Sequence, residues 1–157
     1  RQLADKIQNS TKRLECYDIS NISGSSAVGA MAVFENGRAD RNQYRKFKIY
    51  SLNTPNDTAM LSEIISRRLN HREWPLPDVI IVDGGKGQVN IANKILAETG
   101  LKIPVLGIAK GPSRKKNEII GQLPEWLEEK TLINARNEAH RFAISYHRSV
   151  RNRNSFY

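Results

Sequence analysis

The sequence predicts one α/β domain in which an antiparallel three-strand meander and parallel strands form a mixed sheet flanked by helices. Three observations carry this reading. Residues 14–49 read as three strands, and Asn36-Gly37 between the second and third is a strong hairpin signal. Val79-Ile80-Ile81-Val82 is an unbroken apolar run, the pattern of a strand buried on both faces. A helical stretch, a second short apolar strand and a last helix follow it, which completes a βαβ unit and a layered domain. The 157 residues are about one domain's worth.

Taken in order, Arg1 to Asn9 read as a polar helical lead-in, so that 1–12 is a linker and 13–157 the domain. Leu14 to Ile19 is the first strand, and Ser20 to Ser26 is turn-rich. Ala27 to Phe34 is the second strand. Tyr44 to Ile49 alternates charge with bulk, as a third strand with one wet face would. Asn56-Asp57-Thr58 can cap a helix to about Leu69, with Ala59, Met60, Ile64 and Ile65 as its core stripe and Arg67-Arg68 near its C-terminus. The Val79–Val82 strand stops at Asp83-Gly84-Gly85-Lys86-Gly87-Gln88 and enters a helix from about Val89 to Glu98. Pro104 to Ala109 is another short strand. Gly111 to Glu129 is charged and irregular, a loop or a small hairpin, and the last helix runs from about Ile133 to Arg148 before a basic tail. This order is the one used by ribonuclease-H-like folds; a doubly wound fold would alternate strand and helix from the start.

Composition narrows the function. Lys and Arg total 25 against 16 Asp and Glu, a net charge of +9, which favours a polyanionic partner without naming it. Aromatic residues are 7% of the chain, so base stacking on an aromatic sheet face is not the expected mode. The single cysteine, Cys16, excludes a disulfide framework and a cysteine-rich zinc site. No apolar run reaches the roughly 18 residues of a membrane span, and no signal peptide opens the chain, so a soluble cytoplasmic protein is expected. The chain begins at Arg1 without a methionine, as a fragment of a longer protein would.

Two acids stand out. Asp18 lies inside an apolar strand, where an unpaired carboxylate is costly, unless it turns to the wet face or pairs with an arginine. Asp83 ends a central strand, where open α/β sheets place their ligands, although an aspartate there could also cap the following helix. Two strand-borne carboxylates in one sheet repel unless a cation sits between them. Oxygen ligands with few histidines point to Mg²⁺ or Mn²⁺ rather than zinc. Asp57 and Glu63 are candidate third acids in a supporting role, although Asp57 reads more readily as a helix cap and Glu63 as a solvated face. His140 in the last helix could ligate the ion or move a proton, with His147 two turns on; His71 falls in a polar linker and reads as exposed. Gly84-Gly85-Lys86-Gly87 fails the phosphate-loop spacing and lacks its Ser/Thr, so Lys86 at a helix N-terminus fits a DNA phosphate better than a nucleotide. Lys110, Arg114, Lys115, Arg141 and Arg148 are candidate grips on the backbone, or solvated charge.

Together these pieces resemble one family. Glu15-Cys16-Tyr17-Asp18-Ile19-Ser20 with Gly24, Phe34-Glu35-Asn36-Gly37 before Tyr44-Arg45, Val82-Asp83-Gly84-Gly85-Lys86-Gly87-Gln88, Ile108-Ala109-Lys110-Gly111, and Glu138-Ala139-His140-Arg141-Phe142-Ala143-Ile144 with His147-Arg148 resemble the C-terminal endonuclease domain of UvrC, from about Arg13 to Asn154. The resemblance implies a ribonuclease-H-like endodeoxyribonuclease that makes the 5′ incision beside lesions in bacterial nucleotide excision repair. It implies damaged double-stranded DNA as substrate, and partnership with UvrB after UvrA-dependent loading through parts of the full protein outside this chain. It also implies Asp18, Asp83 and His140 as an Asp-Asp-His catalytic set around a divalent metal, with Asp57 in a supporting role. Asn21 and Asn56 depart from the family, which carries a histidine and an acid there. A non-catalytic DNA- or protein-binding domain of the same fold is the alternative.

Overall fold

The computed structural model describes residues 12–22, 26–50, 57–110 and 116–145. The expected lead-in helix, residues 23–25 of the expected turn, Asn56, the stretch with Arg114 and Lys115, and the basic tail with His147 and Arg148 lie outside the described residues, as does the side chain of Lys110.

Seven strands form one sheet: β1 (Arg13–Ile22), β2 (Ser26–Glu35), β3 (Arg38–Ala39), β4 (Arg45–Ile49), β5 (Val79–Asp83), β6 (Val105–Lys110) and β7 (Asn117–Ile120). Among the described residues, three α-helices pack on it: α1 (Asp57–Leu69), α2 (Lys86–Glu98) and α3 (Glu129–Ile144). The sheet runs β3-β2-β1-β5-β6-β7, with β4 also paired to β2. The expected meander is therefore β1-β2-β4, turned at Asn36 and Gly37, whose backbones take φ of 53° and 80°. Asparagine and glycine tolerate that left-handed region, which is why this dipeptide sits at the turn.

β1 is the central strand, antiparallel to β2 and parallel to β5. Alternation along it sends Leu14, Cys16 and Asp18 to one face and Arg13, Glu15 and Tyr17 to the other. α3 covers the first face through Leu132, Ala135, Ala139 and Ala143, all fully buried, and the three alanines allow close approach to the sheet. α1 covers the second face with Met60, Leu61, Ile64 and Ile65.

Several boundaries differ from the sequence reading. α2 starts at Lys86, one turn before Val89, because extended Gly85 serves as its N-cap. α3 starts at Glu129, a turn before Ile133; Glu129 in the first turn suits the helix dipole, and Leu132 is already core. The irregular 111–129 stretch contains β7, hydrogen-bonded to β6 from Gly107 to Lys110, so it includes a hairpin strand. The third strand has no free wet face at Lys46, which is buried beneath α3, its ammonium 4.6 Å from the centre of the Phe142 ring and 3.3 Å from Ser145 Oγ.

The face under α1 holds a buried ionic network that the sequence reading missed. Glu15 is fully buried and takes four donors: Arg68 Nε and Nη2, both at 2.7 Å, Arg13 Nε at 2.9 Å and the Tyr17 hydroxyl at 2.5 Å. A buried carboxylate needs this degree of satisfaction to be tolerated. Arg68 also donates to the carbonyls of His71 and Pro75, so it ties the α1–β5 connection to the central strand. Arg68, which the sequence places only near the C-terminus of α1, continues the buried stripe one turn beyond Ile64 and Ile65. His71 is half-buried rather than exposed, stacked on Trp74 at 4.0 Å and bonded to Glu73 at 2.6 Å.

Candidate metal centre

The register of β1 against β5 pairs Tyr17 with Val82. One step further along two parallel strands sets Asp18 beside Asp83. The third element comes from far along the chain: α3 crosses the same face and lays His140 over the two acids. His140 Nδ1 lies 3.2 Å from Asp18 Oδ2. One ligand atom from each of Asp18, Asp83 and His140 can be chosen so that all lie within 4.8 Å of one another. The Asp18 side chain is 8% exposed and that of His140 61%, so the cluster is a shelf with a buried floor and an open rim.

The electrostatics fit a cation. Burial, and then the charge of Asp83, push the Asp18 carboxyl from 3.8 to about 6, while the hydrogen bond and charge of His140 pull it back in part. The floor beneath is also acidic in its field: Cys16, on the same face two residues before Asp18, has its thiol pushed up by burial, then by Asp83 and Asp18, and lowered by Arg136. Two carboxylates and an imidazole are a hard, oxygen-rich donor set, and the strain that raises Asp18 is what a divalent ion between the acids would relieve. These residues therefore fit a divalent metal ion.

A tight turn follows Asp83. Gly84 N donates to Ile108 O at 2.9 Å, and a Cβ placed on Gly107 would stand 2.6 Å from Gly84 O and 2.7 Å from Val89 Cγ2. Only glycine lets β6 approach closely enough to hold the turn that ends in Asp83. α2 then begins without any side chain capping its first N–H groups, and Lys86, its first residue, is exposed beside them.

The other sequence candidates fall elsewhere. Glu63 is engaged by Arg67 at 3.1 Å and accepts the Tyr50 amide at 3.0 Å, and Asp57 is exposed at the start of α1; neither belongs to the three-residue cluster. Arg141 donates to Glu138 at 2.5 Å and 3.2 Å, and Glu138 also meets Arg41 at 3.4 Å and the Tyr44 hydroxyl at 3.0 Å. These donors hold the Glu138 carboxyl below its ordinary range, Arg141 foremost.

Comparison with known proteins bears on the whole chain. The model of the UvrC RNase H endonuclease domain matches residues 2–144. The chain belongs to that family. It is 41% identical to the UvrABC system protein C of Clostridium perfringens over 92% of its length, 44% identical to that of Streptococcus thermophilus over 92%, and 41% identical to that of Methanothermobacter thermautotrophicus over 98%. It spans only 26–27% of these UvrC relatives. Among solved structures it resembles an endonuclease V of Ciona intestinalis bound to an inosine-containing DNA, at 15% identity and a TM-score of 0.50 over 85% of this chain and 57% of that one. That likeness concerns fold alone, and it agrees with the ribonuclease-H-like sheet of the UvrC domain. No described helix is long and apolar enough to cross a membrane.

Proposed function

We propose that this domain is a metal-dependent endodeoxyribonuclease that makes the 5′ incision beside lesions in nucleotide excision repair. The observation that carries the reading is the convergence of Asp18, Asp83 and His140, from β1, β5 and α3, within 4.8 Å. Asp18 and Asp83 would hold Mg²⁺ or Mn²⁺, with His140 completing the set. Bound there, such an ion supplies phosphate polarisation and an acidified water.

The chain's own groups do the rest. The carboxylates alone repel a phosphodiester, so Asp18 in the middle of β1 and Asp83 at the end of β5 would position it only with the ion between them. With Nδ1 turned to Asp18, His140 keeps Nε2 for one of two roles, completing the ligand set or moving a proton at the leaving oxygen. Lys86 and the open N–H groups of α2 would steady the backbone on one side, with Lys110, Arg114, Lys115 and Arg148 as further contacts to phosphate, and Asp57 and Glu63 as outer acids. Phosphate contacts carry no sequence information, which suits a cut placed by a lesion rather than by a base sequence. The wider reading, damaged duplex DNA delivered with UvrB in the cytoplasm, rests on family membership. A Mn²⁺-dependent plasmid-nicking assay tests it: nicking by the wild-type chain, abolished in Asp83→Asn, is expected. DNA binding with no nicking at any Mg²⁺ or Mn²⁺ concentration would favour a non-catalytic binding domain.

A further inference from the structure

Among the described residues, several arginines are ion-paired with carboxylates, whereas Arg136 on α3 is held by neutral groups. Arg13 and Arg68 are bonded to Glu15, Arg67 to Glu63, and Arg41 and Arg141 to Glu138. Arg136 differs. Its Nε donates to Asn137 Oδ1 at 3.1 Å and its Nη1 to Asn117 Oδ1 at 2.9 Å. Both acceptors are neutral amides, so they orient the guanidinium without cancelling its charge. Asn117 opens β7, whose register pairs it with Lys110 at the end of β6, on the Asp83 side of the sheet.

The helix sets Arg136 on the right flank. At 3.6 residues per turn, Arg136 and His140 lie one turn apart and only about 40° around α3. Arg141 is about 100° from His140, on the solvent side, and Phe142 turns to the opposite flank over Lys46. A planar guanidinium fixed by neutral partners one helical turn from His140 is suited to bidentate capture of a phosphate through its remaining donors.

We propose that Arg136, held by Asn117 and Asn137, binds a backbone phosphate of the DNA strand that lies across Asp18, Asp83 and His140, and that it contributes more to this grip than Arg141 does. This rests on the nuclease reading above and adds a specific substrate contact to it.

The test measures binding of the 157-residue chain to a short DNA duplex in Ca²⁺ across a salt series, with Mn²⁺ titration and thermal melting alongside. Arg136→Gln should weaken DNA binding by roughly tenfold and flatten the slope of log K against log salt by about 0.7–0.9, the value for one phosphate contact. Arg141→Gln should weaken it less, and Lys102→Gln, which removes an equal charge at the far end of the sheet, should change it by less than about twofold. Arg136→Lys should restore the salt slope but only part of the affinity, because a point charge replaces a fork. Mn²⁺ affinity and melting temperature should stay near wild type in Arg136→Gln. Wild-type binding with Arg136→Gln within twofold of it overturns the assignment and leaves the nuclease reading standing. A loss in Arg141→Gln as large as in Arg136→Gln also overturns it, and a wild-type chain that binds no DNA refutes both.

Discussion

Replacing Asp18 by asparagine should stabilise the metal-free domain while destroying its metal site. The carboxyl sits at about 6 in the fold, against 3.8 for an unperturbed aspartate, because burial and the neighbouring Asp83 charge disfavour ionisation. Between these values the folded state holds a proton that the unfolded chain releases. The stability this provides is complete below about 3.8 and is lost as pH rises through about 6. At 1.36 kcal/mol for each tenfold change in proton affinity, the gap of about two pH units corresponds to roughly 3 kcal/mol of cost at pH 7. Asparagine keeps the shape and carries no charge, and the weaker hydrogen bond it offers His140 takes back part of the gain. A net gain of about 1–2 kcal/mol is expected, or some 3–6 °C in melting temperature for a chain of this length. Melting the metal-free proteins from pH 4 to pH 8 gives the answer. The wild type should lose stability relative to Asp18→Asn as pH rises from about 4 through about 6 and little beyond, and Mn²⁺ should raise the melting temperature of the wild type alone. Equal melting temperatures at pH 7, or stabilisation of Asp18→Asn by Mn²⁺, would refute the argument that Asp18 is a strained ligand.

Three further outcomes follow from the same structure. Arg68→Ala leaves buried Glu15 with half its donors and frees the α1–β5 connection, so denaturant unfolding should show a loss of about 3–5 kcal/mol, with Mn²⁺ affinity recovering under strongly native conditions. In Gly107→Ala the new methyl meets Gly84 O and Val89; a destabilisation of about 1–3 kcal/mol and a nicking rate reduced by more than that destabilisation explains are expected, since the turn after Asp83 must shift. His140→Ala removes a side chain 61% exposed, so melting should change by less than about 0.5 kcal/mol while nicking falls steeply; nicking near the wild-type rate would show that the imidazole has no part in the reaction.

The fold was legible in the sequence wherever local pattern and tertiary role coincide. Val79–Val82 announces a central strand by being apolar throughout, and Asn36-Gly37 announces a hairpin because few other residues accept its backbone. The candidate site was legible through two signals: the carboxylate inside β1 contradicts burial unless something satisfies it, and the one ending β5 stands where open α/β sheets place their ligands. What the sequence hid depends on partners distant along the chain. Glu15 and Arg68 are 53 residues apart and each alone resembles a surface charge. Only the crossing of α1 over β1 makes them a buried pair, and Glu15, being as anomalous in its strand as Asp18, was the signal that could have revealed it. Arg141 and Arg136 look equivalent in a basic helix until Glu138 and Asn117 give them opposite neighbours. Helix starts at Lys86 and Glu129 were misplaced by a turn because glycines and acids read as loop where a helix N-terminus accepts both.

The central claim is that Asp18, Asp83 and His140 together hold a divalent ion. A crystal structure soaked in Mn²⁺ and recorded at the manganese absorption edge tests it most directly. The account predicts an anomalous peak bonded to oxygens of both aspartates at roughly 2.0–2.3 Å, with the His140 ring in its coordination sphere. Manganese bound elsewhere on the domain while these three side chains keep their metal-free positions would contradict it.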